Sequence, residues 1–197
     1  MNSLKAVCVF CGGNAGVRPS YSENAMALGK ELASRGLSLV YGGGSVGLMG
    51  QIANAALKHG SAVVGIIPEH LTTKELRGYP IGELIVVATM HERKARMASM
   101  ADAFIAMPGG FGTLDELFET VTWGQIGLHS KPIGLLNVDG FFNPLVQYID
   151  HCVVEGFIRP YHRELLLVDD QPARLLDRLA EHQPPPGLVN SKGLERA

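Results

Sequence analysis

The chain has 197 residues, 46% of them hydrophobic and 18% charged, with a formal net charge of −2. That length suits one domain with a sizeable core. The near-neutral balance supplies no electrostatic footprint for nucleic acid, and no run is long enough to span a bilayer.

The opening residues Met1 to Lys5 run straight into a short apolar segment, with no charged n-region or cleavage site, which is the pattern of a cytoplasmic chain. From there, strand-length apolar runs alternate with segments of helical period. The predicted strands are Ala6–Phe10, Leu37–Tyr41, Ala62–Ile67, Leu84–Ala88, Ala103–Met107, Pro132–Leu136 and Leu165–Val168. All are mostly apolar, as expected of strands covered on both faces. Helices are predicted near Tyr21–Ser34, Leu48–His59, His91–Ala101, Thr113–Ile126, Asn143–Glu155 and Ala173–Glu181. Ser20-x-x-Glu23 and Thr113-x-x-Glu116 read as capping boxes at two of the starts. Repeated β–α units predict an α/β, Rossmann-like doubly wound parallel sheet with helices on both faces. Residues 1–182 read as a single nucleotide-binding domain, and 183–197, with three consecutive prolines, as a poorly ordered tail.

Three cysteines cannot all pair within the chain. Cys8 and Cys11 form a C-x-x-C, but residues three apart on a strand face opposite ways, and no second pair or histidine completes a metal site. They read as small buried hydrophobes. Met90, Met97, Met100 and Met107 read as core packing, and Trp123 as a buried anchor of a helix or a dimer contact.

Chemistry concentrates in glycine clusters after the first, second and fifth strands: Cys11 to Gly16, Gly42 to Gly47, and Pro108 to Thr113. The last two lead directly into helices, whose first N–H groups attract anions. Gly43, Gly44 and Gly109 are therefore phosphate-loop candidates. Gly42-x-Gly44-x-x-Gly47, followed by Glu69, also matches a dinucleotide fingerprint, so an NAD-dependent oxidoreductase competes. Against it, the fingerprint follows the second strand and a further glycine loop crowds the cleft.

Glu116 stands just inside the helix after the third cluster, near any phosphate held there. A carboxylate beside a ribose stabilises an oxocarbenium-like transition state. A capping role for Glu116 fits the spacing equally well. Thr113, Glu116 and Thr120 share one stripe able to face the cleft; Leu114, Leu117 and Val121 share another able to face the core. Arg93 and Lys94 open a helix after the fourth strand, either gripping an anion or lying on a solvated face.

The segment Pro108-Gly109-Gly110-Phe111-Gly112-Thr113-Leu114-Asp115-Glu116 matches the P-G-G-x-G-T-x-x-E signature. With the stretches Tyr41 to Gly50, Met90 to Met97, Thr122 to His129 and Lys131 to Gly140, it resembles the "lonely guy" family of cytokinin-activating phosphoribohydrolases, many of them labelled as possible lysine decarboxylases. The likeness runs from about Val7 to Asp169. It departs at the first loop, where relatives often carry Cys-Gly-Ser-Ser and this chain has Cys11-Gly12-Gly13-Asn14, which removes hydroxyl contacts from that loop. The resemblance implies hydrolysis of an N6-modified adenosine monophosphate, or of AMP, to free base and ribose 5-phosphate. It also implies no metal or organic cofactor, a small-molecule nucleotide substrate, no nucleic-acid or membrane partner, and a homodimer. Carried over residue by residue, it implies substrate contacts at Glu75, Arg93, Lys94, Gly110, Phe111, Gly112, Thr113, Leu114, Asp115, Glu116 and Thr122, with Arg93 and Glu116 catalytic. A non-catalytic nucleotide carrier of the same fold is the alternative from another class. Lysine decarboxylation has no support, since no Schiff-base lysine with a pyridinium partner is evident.

Overall fold

The computed structural model describes residues 4–75 and 80–185, the side chains of Lys74 and Glu75 excepted. The predicted tail from 183 onward therefore falls, beyond residue 185, outside the described residues.

Seven strands form one parallel sheet: β1 Ala6–Phe10, β2 Ser38–Tyr41, β3 Val63–Pro68, β4 Glu83–Val87, β5 Ala103–Ala106, β6 Ile133–Leu136 and β7 Leu166–Asp169. Six longer helices connect them: α1 Pro19–Ser34, α2 Gly47–Lys58, α4 Met90–Met100, α5 Phe111–Gln125, α6 Asn143–Val154 and α8 Pro172–Glu181. The single turns α3 Thr72–Glu75 and α7 Pro160–Arg163 complete the set. Each predicted strand and long helix is present to within two residues at either end. The two single turns were not predicted, because four residues are too few to show a helical period.

The sheet order is β4-β3-β2-β1-β5-β6-β7. From β1 the chain winds outward through β2 and β3 to β4, then crosses to β5 and winds the other way. Alternation of side chains along β1 splits the core. Val7 and Val9 join Leu28, Leu32 and Ile52 under α1 and α2, whereas Cys8 and Phe10 join Met97, Phe104 and Leu117 under α4 and α5. Cys8 and Cys11 accordingly enter opposite core layers, and all three cysteines are free. No group of three His, Cys, Asp or Glu among the described residues is placed to hold a metal ion.

Both predicted capping boxes fail. Helix α1 starts earlier, with Arg18 as N-cap and Pro19 in its first turn, and the Ser20 hydroxyl donates to Asp139. Helix α5 starts at Phe111 with Gly110 as N-cap and no side-chain cap. The side-chain cap that does form is at α4. There Thr89 Oγ1 accepts from the Glu92 N–H at 3.1 Å, and Glu92 Oε2 accepts from the Ala88 N–H at 3.0 Å. Thr89-x-x-Glu92 has the capping-box spacing and is where that signal belongs.

Candidate active site

In a doubly wound sheet the ligand crevice opens where the winding reverses, beyond the carboxyl ends of the strands. Here that point lies between β1 and β5. The loops after these two strands, Cys11 to Gly16 and Pro108 to Gly112, line a cavity of about 380 Å3. They are stitched together by the Gly12 N–H, which donates to the Pro108 carbonyl at 3.0 Å. Gly109 is required for this approach, since a Cβ there would lie 2.9 Å from Gly12 N and collide with the Thr113 hydroxyl.

Helix α5 points its N-terminus into this cavity. With no side chain capping it, the first N–H groups of the helix, at Phe111, Gly112 and Thr113, have no intrahelical partner. They add to the positive end of the helix dipole, an arrangement suited to an oxyanion. Thr113 is the third helical residue and Glu116 lies one turn further in, so Glu116 does not cap. Its carboxylate is instead part of the cavity wall, with the residue only 8% exposed.

Arg93 faces it, 5% exposed, with Nη1 3.8 Å from Glu116 Oε1. The rest of the guanidinium is tied to the backbone: Nε donates to the Ile66 carbonyl at 3.0 Å and Nη2 to the Gly42 carbonyl at 2.8 Å. Arg93 is thus a strut fastening α4 to the ends of β2 and β3, and it sets a fixed cation beside the acid. The solvated-face reading of Arg93 is excluded by its burial. Lys94, next in sequence, turns away and bonds Asp115 at 3.0 Å and Glu119 at 3.1 Å. Cys11, at the cavity floor, has its thiol pushed up by burial first and by the charge of Glu116 second, which keeps it protonated and inert.

Of the sequence candidates, Arg93, Gly109, Gly110, Gly112, Thr113 and Glu116 line the one cavity. Phe111 is 93% exposed and lies outside the lining, as do Leu114, Asp115, Lys94 and Thr122, whose hydroxyl donates to the Phe118 carbonyl. The side chain of Glu75 lies outside the described residues. Gly43 and Gly44 also lie off the cavity, although both are buried. A Cβ on Gly43 would come within 3.1 Å of both Ile67 and Leu84, so that loop is packed against β3 and β4. Of the fingerprint glycines, Gly42 and Gly44 lie outside the lining, while Gly47 packs against Gly13 of the first loop and leads into Leu48 and Met49, which line the cavity. The Thr113, Glu116, Thr120 stripe, expected to face the cleft, reaches the lining at Thr113 and Glu116 but not at Thr120, which is buried with its hydroxyl donating to the Glu116 carbonyl.

Sequence reasoning missed Tyr21, Met49, Met90 and Phe141, which line the cavity. Met90 read as core, yet it lines the cavity, and its Sδ accepts from Arg93 Nη1 at 3.8 Å. An amphipathic pattern reports only that such residues are apolar, not whether a void lies in front of them.

The family model described as possible lysine decarboxylase matches residues 49–179. The chain is 51% identical to the cytokinin riboside 5′-monophosphate phosphoribohydrolase LOG7 of Arabidopsis thaliana, over 96% of this chain and 87% of that protein. It is 50% identical to the probable phosphoribohydrolase LOGL2 of Oryza sativa subsp. japonica, over 96% of this chain and 78% of the relative. The chain belongs to this phosphoribohydrolase family. Among solved structures, the molybdenum cofactor binding protein of Rippkaea orientalis superposes with a TM-score of 0.66 at 22% identity, covering 90% of this chain and 96% of that one. At that identity the likeness concerns the fold alone. The decarboxylase label of the family model finds no amine in the crevice: among the described residues, no lysine lines the cavity.

Proposed function

We propose that the chain hydrolyses the N-glycosidic bond of adenosine 5′-monophosphate or its N6-modified forms, releasing free base and ribose 5-phosphate. The observation that carries this reading is the joint placement of a buried carboxylate, Glu116, and the uncapped N-terminus of its own helix in one cavity. Amides of Gly112 and Thr113 hold the 5′-phosphate, and Glu116, one turn along, faces the ribose. As the bond from C1′ to the base nitrogen breaks, its electron pair leaves with the base, which takes up a proton from solvent, replaced when Glu116 later releases the proton it accepts from the attacking water. Positive charge spreads over C1′ and the ring oxygen, where Glu116 stabilises it. Water adds to C1′ and gives its proton to the same carboxylate. Arg93, tied to two backbone carbonyls, holds its charge beside Glu116 without needing to touch phosphate.

We further read residues 1–182 as a single catalytic unit acting in the cytoplasm, with free cysteines supporting a reducing compartment. We also read the protein as a homodimer. Phe111, Phe118 and Ile126 form an exposed apolar stripe along α5, and Asp115 and Thr122 fall on the same face. Burying that stripe against a second copy is the use that suits it.

Incubating the protein with AMP and with isopentenyl-AMP, and resolving free base and ribose 5-phosphate by chromatography, tests the activity. Release from either supports it, and their ratio ranks the substrates. Nucleotide binding without release of base from either would leave a carrier in its place.

A further inference from the structure

The cavity continues past the helix N-terminus that anchors the phosphate in the reading above. In the order β2-β1-β5-β6, the acid lies to one side of the start of α5. Its partner Arg93 is bonded there to the carbonyls of Gly42, after β2, and Ile66, in β3. On the other side stand Tyr21, from α1, and Phe141, in the turn after β6. Their rings meet edge to face, centroids 5.7 Å apart at 80°, and both line the cavity. The wall they make is braced. The Ser20 hydroxyl donates to Asp139, Arg18 pairs with the same carboxylate at 3.7 Å, and the Phe142 ring meets Phe141 at 5.0 Å.

A nucleotide with C1′ at Glu116 and its phosphate on the amides of α5 turns the far side of that phosphate toward these rings. Arg93 is the cationic side chain in the described lining, and it stands at the opposite end, committed to two carbonyls and Glu116. Arg18 pairs with Asp139 outside the lining. A second phosphoryl group would bring negative charge against hydrocarbon with no counter-charge, a costly desolvation.

We propose that Tyr21 and Phe141 are specificity-determining residues that confine the substrate to a monophosphate, closing the space beyond the first phosphoryl group and denying a second one a partner. The inference rests on the nucleotide reading of this cavity. Specificity here is a penalty built against the longer ligand.

The test compares kcat/KM for AMP and ADP, by release of free adenine, in the wild type, Phe141→Ala and Phe141→Lys. The wild type is expected to favour AMP. Phe141→Ala should lower the AMP-to-ADP ratio by roughly tenfold or more, through gain on ADP, and Phe141→Lys should lower it further by supplying a cation. Competition binding of ADP against AMP reads the same ratio in a variant that folds but turns over slowly, and Phe141→Leu serves if the smaller residue does not fold. An unchanged ratio in these variants overturns the inference, as does a wild type that cleaves AMP and ADP equally; both leave the hydrolase reading standing. A wild type that releases base from neither AMP nor isopentenyl-AMP overturns the hydrolase reading, and this inference with it.

Discussion

Glu116 is a buried acid in the cavity wall, with Arg93 Nη1 3.8 Å from its Oε1. Its position in the wall puts the carboxylate within reach of a ligand, with the Arg93 guanidinium beside it. Glu116→Gln preserves shape and removes the charge. It is expected to lower kcat by about 10²–10³ with nucleotide affinity largely kept, as single-turnover kinetics and a binding titration would check. Arg93 differs in kind. Its side chain satisfies two backbone carbonyls as well as facing the acid, so Arg93→Ala opens a hole and orphans both acceptors. Breaking a buried pair costs about 3–5 kcal/mol. A lowered urea midpoint should therefore accompany the lost turnover, whereas Glu116→Gln should show loss of turnover alone.

At the scale of elements, α5 is held from behind by His129. The Lys131 N–H donates to His129 Nδ1 at 3.1 Å, so the ring proton is on Nε2, which donates to the Thr120 carbonyl at 3.0 Å. The ring also lies against Phe104, centroids 5.3 Å apart. Burial lowers the pKa of His129 below its ordinary 6.5, outweighing the Thr120 carbonyl, which raises it. The folded state thus binds fewer protons than the unfolded state across that window. Stability from this group is complete above pH 6.5 and is lost as pH falls toward the folded value. The urea midpoint of the wild type should fall between pH 7.5 and pH 5.5, and His129→Gln should flatten that slope. His162 and His182 shift in the same direction, so the wild-type-minus-variant difference isolates His129. The elements also show how local signals mislead. Of the T-x-x-E spacings that open the long helices, at Thr89 and at Thr113, only the first caps a helix, because α5 begins two residues before Thr113.

At the scale of the molecule, the exposed stripe of Phe111, Phe118 and Ile126 is the face on which the dimer proposal stands. Phe111→Glu combined with Phe118→Glu places charge in that contact. Light scattering after size exclusion should show the mass fall from two chains to one, and a wild type that is already monomeric would remove the proposal. The sequence by itself determined the seven strands and six long helices, since apolar period is a local property. It also determined which acid follows the P-G-G-x-G-T run, since motif spacing is read along the chain. Only the tertiary structure decided which glycine loops meet. The three clusters are alike in glycine content, but strand order places β1 and β5 side by side so that their loops line one cavity, sets Gly47 of the loop after β2 against Gly13, and leaves Gly43 packed against β3 and β4. It alone placed Tyr21, Met49, Met90 and Phe141 around one void, because a cavity is made by chain segments far apart in sequence. An apolar side chain facing a void and one facing the core follow the same pattern.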